Sequence, residues 1–197
     1  ISKHRDSAAL QKDNNANLTI DNATNTTPGT LTVQTYFTDY SKSGWGAGIG
    51  SGFGGSCSNI TITGGLVTAN SKNGAGIGGG CFKDVEGSGS NITITGGFVT
   101  ASSKNGAGIG GGSGGSGNNI TINGGSVNAS PYFGAGIGSG FGDDPSGSCS
   151  NITINGGSVN ASSTCGAGIG SGYGGKSSGS CSNITINGGS VNASSTE

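Results

Sequence analysis

The segment Gly170-Ser171-Gly172-Tyr173-Gly174-Gly175-Lys176-Ser177 spells the phosphate-cradling loop G-x-x-x-x-G-K-[ST]. That loop works only when a buried strand precedes it and a helix follows to aim its amides. Here Gly and Ser follow, then another strand-like string, and the same glycine framework recurs four times without the lysine. Coincidence is the better account. The G-x-G-x-x-G match at Gly50, Gly52 and Gly55 fails for the same reason. Acid–base chemistry has little to draw on. His4 is the lone histidine and lies in a polar segment. Asp143-Asp144 is a carboxylate pair, but Pro145 follows and the three residues read as a turn. Serine is plentiful without a base to activate it. No catalytic residue, cofactor or metal site is expected, and the chain reads as a non-enzyme.

Five cysteines occur, at Cys57, Cys81, Cys149, Cys165 and Cys181, with no metal-type C-x-x-C spacing. Cys57, Cys149 and Cys181 share one repeat phase. Stacked repeats bring Cys149 near Cys181, and loop contacts would join Cys57 to Cys81. One or two disulfides are expected, with one cysteine left over to link subunits or stay buried and free. That usage fits an oxidising compartment.

Eleven N-x-[ST] sequons are present, at Asn17, Asn22, Asn25, Asn59, Asn91, Asn119, Asn128, Asn151, Asn160, Asn183 and Asn192. Two readings stay open: a heavily glycosylated rod, or a polar strand face whose asparagines stack as amide ladders. Glycans on stacked asparagines would stand ~5 Å apart, the interstrand spacing. The loop-proximal Asn128, Asn160 and Asn192 are therefore the better glycan sites. Thr61, Thr93, Thr121, Thr153 and Thr185 form a further outward column beside them, a pattern that suits ice binding. The array is incomplete, because Thr63 and Thr95 give way to Asn123, Asn155 and Asn187. Phe53, Phe141 and Tyr173 share a loop phase and offer a sugar-stacking platform, or simply pack their loops.

What positions all of these is a repeat. GAGIG recurs at Gly46, Gly74, Gly106, Gly134 and Gly166, with spacings of 28, 32, 28 and 32 residues. NIT-I recurs from Asn59 to Asn183, each time followed by GG, a variable residue, Val, Thr or Asn, and Ala. A weaker copy runs Asn17-Leu18-Thr19-Ile20, then Leu31-Thr32-Val33. The local period is two: Ile60 and Ile62 face one way, Asn59, Thr61 and Thr63 the other. Val67 with Ala69, and Ile49, supply the remaining inward side chains. Glycine contributes 46 of 197 residues, and only 29% of the chain is apolar. Such a chain orders only if its few apolar residues stack in phase. Collagen is excluded, because glycine does not fall at every third position. An antiparallel sandwich is the competing fold, yet sandwich strands rarely repeat identical strings at equal spacing.

The expected fold is all-β: a right-handed parallel β-helix, or β-solenoid, of about six coils with 28–32-residue repeats, handedness following the usual sense of parallel crossovers. Residues 1–16 form a polar N-terminal segment and 17–45 an irregular first coil or cap. Residues 46–197 form a five-coil solenoid with no evident C-terminal cap. The chain opens on Ile1, as a processed N-terminus or the boundary of a longer chain would. With a net charge of −1, one arginine (Arg5) and scattered lysines, nucleic acid is not an expected partner. No apolar run is long enough for membrane insertion.

GAGIGSGFGGSCSNITITGGLVTA, residues 46–69, resembles the glycine-rich repeats of clostridial and other microbial surface proteins, some grouped with a polygalacturonate-binding β-helix family of carbohydrate-binding domains. The resemblance spans Gly44 to Ala193. It implies a right-handed β-helix, an extracellular or cell-surface location, and acidic-glycan binding with calcium. This chain departs from it in carboxylates: Asp84, Glu86, Asp143 and Asp144 lie in loops and no repeat phase carries an acid. The functional expectation is a structural repeat protein, a subunit of a surface fibre adding head-to-tail and carrying glycans. A carbohydrate-binding or adhesive module is the alternative, and an ice-binding protein the third.

Overall fold

The computed structural model describes residues 7–13, 16–22, 27–35, 44–82, 85–143, 147–176 and 179–197. His4, Arg5, Asn25, Tyr36, Phe37, Asp84, Asp144, Pro145 and Ser177 lie outside them. The described chain is all β and winds as a solenoid of three walls. Each wall is a six-stranded parallel sheet that takes one strand from every coil in chain order. The fifth coil is representative. Ile137–Gly138 lies in the first wall, Cys149–Ile154 in the second and Ser158–Ser163 in the third.

Like sits on like. Ile60, Ile92, Ile120, Ile152 and Ile184 stack in register, as do Ile62, Ile94, Ile122, Ile154 and Ile186. Val67, Val99, Val127, Val159 and Val191 form a third interior column, with an alanine column beside it from Ala69 to Ala193. Ile49, Ile77, Ile109, Ile137 and Ile169 complete the lining. In the middle coils these side chains are fully buried. A single coil cannot bury its apolar face; its neighbours above and below do so.

Two glycine- and asparagine-specific features let the coil close. Gly110, the last residue of its GAGIG string, has φ +134°, and a Cβ there would overlap the carbonyl oxygen of Gly138 in the next coil. The NIT-I asparagines all adopt left-handed backbone, with φ between 51° and 61°. Asparagine tolerates that region far better than a branched residue. This kink resets the alternation. Cys57 and Ile60, three residues apart, both point inward, where a plain period of two would have turned Ser58 inward.

The solenoid also begins earlier than expected. Leu10–Gln11, inside the segment read as a polar N-terminal stretch, pairs in parallel with Ile49–Gly50 and supplies the first coil's strand of the first wall. Leu18 and Ile20 then stack on Ile60 and Ile62, and Leu31 and Val33 on Val67 and Ala69. An antiparallel hairpin, Cys81–Phe82 with Val85–Glu86, interrupts the third coil between its first and second walls.

Candidate functional site

The asparagines flanking the interior isoleucines build ladders on the outside. Asn91 Nδ2 donates to Asn59 Oδ1 at 3.2 Å, Asn119 to Asn91 at 3.1 Å, Asn151 to Asn119 at 3.0 Å and Asn183 to Asn151 at 3.1 Å. One residue past the strand, Asn155 donates to Asn123 and Asn187 to Asn155. Every donor points toward the preceding coil, so the ladders are directional. Asn128, Asn160 and Asn192, expected to be loop-proximal, stack as well: Asn160 donates to Asn128 at 3.0 Å and Asn192 to Asn160 at 2.9 Å. They lie within strands of the third wall, in register, so the spacing between them is no looser. Asn17 is exposed, and Asn22 Oδ1 accepts from the Gly29 amide. The threonine column from Thr61 to Thr185 runs in register beside the first ladder.

The cysteines divide. Cys149 and Cys181 face each other across adjacent coils and form a disulfide, Cα–Cα 4.5 Å. Cys57 and Cys81 are not joined, contrary to the loop pairing expected for them. Cys57 lies over Gly89 in the next coil, where no thiol is available. Cys81 starts the hairpin, and its thiol meets Ser113 instead. Burial pushes the Cys57 thiol up, opposed by nearby Lys12. Burial pushes Cys81 up to about 11, with the Ser113 hydrogen bond opposing and Glu86 adding to the rise. Cys165 is partly exposed, its sulfur 3.3 Å from Glu197 Oε2.

The aromatic trio also splits. Phe141 and Tyr173 stack nearly parallel, 5° between planes and 6.0 Å between centroids. Phe53 stacks instead on Phe82 at 3.6 Å, and Trp45 meets that same Phe82 edge-on. The fourth coil carries Ser113 where an aromatic would link the two groups, so no continuous platform of three rings exists. Sequence reasoning missed Tyr132 and Phe133, which extend the Phe141–Tyr173 pair: Phe133 lies 5.3 Å from Phe141 and 4.6 Å from Tyr132. Their position between Pro131 and GAGIG, where the two preceding strings are led by Lys72-Asn73 and Lys104-Asn105, was the available signal.

The segment that spells a phosphate loop commits its amides to protein. Gly172 N–H donates to Ser139 Oγ, Tyr173 to the Phe133 carbonyl, Gly175 to Gly142 and Lys176 to Asp143. At the G-x-G-x-x-G match, Gly55 N–H donates back to Gly52. Asp143 is exposed. Among the described residues no cluster of three His, Cys, Asp or Glu has metal-binding geometry, and no helix is long and apolar enough to cross a membrane. In the last coil Ile184 and Ile186 are 42% and 53% exposed, against 0% for Ile152 and Ile154 one coil earlier.

Compared with known proteins, the chain matches the family described as Beta helix repeat over residues 60–81, 92–113, 120–141, 152–173 and 184–195, which together make just over half of its length. Each matched segment begins at an interior isoleucine of the second wall. No curated protein and no solved structure matches it.

Proposed function

Since the chain belongs to the beta helix repeat family, we propose that it is a non-enzymatic rod working outside the cell, a glycosylated subunit that adds head-to-tail into a surface fibre. The observation that carries this reading is the register of the coils. Equivalent strands of successive coils pair in parallel along all three walls, a geometry that an equivalent rung of another copy extends by the same stacking that holds the interior. The directional amide ladders favour one polarity of addition, since Asn183, Asn187 and Asn192 each donate toward the preceding coil. The Cys149–Cys181 disulfide and the likeness to microbial surface repeats support an oxidising, extracellular setting. Sedimentation velocity and negative-stain imaging test it. Particles longer than the ~24 Å of six rungs, lengthening as concentration rises, are expected. A monomer of fixed length at every concentration would sink it.

The second reading is a carbohydrate-binding or adhesive module. The stacked Phe141–Tyr173 pair favours it, since Tyr173 is 46% exposed. A glycan array compared with the variants Phe53→Ala, Phe141→Ala and Tyr173→Ala separates the two.

A further inference from the structure

We infer that the corner following the third wall is a binding groove for a linear oligosaccharide lying along the solenoid axis. This goes beyond the rod, and it rests on the glycan-binding reading while using residues other than the Phe141–Tyr173 stack. The groove is an open cavity of about 560 Å³, within the range of small-molecule sites. Successive coils supply one side of it. Gln34 of the first coil is in register with Asn70 of the second, and Asn70 with Ser102 of the third. Ser130 of the fourth continues the row, its amide donating to the Ala101 carbonyl. Lys104, Tyr132 and Thr164, from the third, fourth and fifth coils, form the other side. Five coils at the interstrand spacing give a length of ~19 Å, enough for on the order of four pyranose rings.

The lining selects a hydroxyl-rich ligand. It combines amides and hydroxyls with one aromatic ring, and it contains no carboxylate. Tyr132 is built as a stacking surface. Its amide donates to the Ser103 carbonyl at 2.9 Å, and its carbonyl accepts from the Cys165 amide at 3.0 Å. Its ring stands edge-on to Phe133 at 73°, which leaves the side chain 46% exposed. A ring fixed in this way loses little freedom when a sugar's C–H face settles on it. Pro131 opens the corner: the third-wall strand of this coil ends at Ala129, while that of the next coil runs to Ser163. An extended peptide is a poorer fit. The backbone groups beside the groove are already paired between coils, so no sheet edge is free to take a strand. Lys104 stands exposed at the rim, which extends the range to sugars bearing a carboxylate.

Calorimetry and NMR titration of the full chain test this, with cellopentaose as a neutral probe and a hyaluronan hexasaccharide as an anionic one. At least one of the two is expected to bind. Tyr132→Ala should weaken it at least about tenfold, Tyr132→Leu should do the same while keeping an apolar contact to Phe133, and Lys104→Ala should weaken only the hyaluronan fragment. Thermal melting confirms that each variant is folded. Failure of both probes to bind the parent chain overturns the groove. So does unchanged affinity in folded Tyr132→Leu. If affinity then falls in Tyr173→Ala instead, the loop-stack reading survives and the groove does not.

Discussion

Replacing Asn119, at the middle of the longest ladder, separates two forces that the repeat combines. Asn119 has φ 52°. Its Nδ2 donates to Asn91 at 3.1 Å, and its Oδ1 accepts from Asn151 at 3.0 Å. Both bonds are exposed, so each falls at the low end of the usual 0.5–1.5 kcal/mol, and losing both costs about 1 kcal/mol. Alanine keeps a Cβ in left-handed backbone but lacks the short polar side chain that lets asparagine tolerate it, at a further cost of up to about 1 kcal/mol. Glycine takes that backbone freely. Asn119→Ala should therefore destabilise by about 2 kcal/mol and Asn119→Gly by no more than about 1 kcal/mol. The assay is urea unfolding followed by far-UV circular dichroism. Protein from a host that does not glycosylate asparagine keeps loss of the sequon from contributing. If glycine costs as much as alanine, the backbone half of the account is wrong. If neither changes the midpoint, the ladder holds nothing.

Gly110→Ala should prevent folding or cost at least about 3 kcal/mol, because its Cβ overlaps the Gly138 carbonyl in a backbone region closed to alanine; solubility and circular dichroism report it. Reducing Cys149–Cys181 should loosen the last coil first, since the bond closes a loop of sequence separation 32 worth about 3–4 kcal/mol; hydrogen exchange should rise across Ser190–Ser195 and stay unchanged across Phe98–Ser102. Cys165 should alkylate in the folded state well before Cys57 and Cys81, as mass spectrometry of timed iodoacetamide reactions would show. The native state holds the Cys81 proton more tightly than the unfolded chain does. Its contribution to stability is therefore complete below pH 9 and lost as pH rises to about 11. Cys81→Ala should flatten that part of the stability–pH curve, and an unaltered curve would refute it.

The sequence by itself determined the architecture. Identical strings at near-constant spacing, each with inward Ile, Val and Ala, admit one economical solution in a chain so poor in apolar residues: equivalent rungs stacked in register. The Cys149–Cys181 contact followed from that phase alone, because residues of one phase become neighbours when coils stack. Tertiary structure decided what phase does not encode. The left-handed kink at Asn59 and its equivalents turns Cys57 inward, since only the neighbouring coils reveal that the strand bends there. The polar-looking Leu10–Gln11 became a strand because Ile49–Gly50 offered an edge to pair with. Phe53 left its phase-mates for Phe82, brought to it by a hairpin that no repeat predicts. The groove beside Tyr132 joins five coils through residues that differ from one coil to the next, so the periodicity that disclosed the fold could not disclose it.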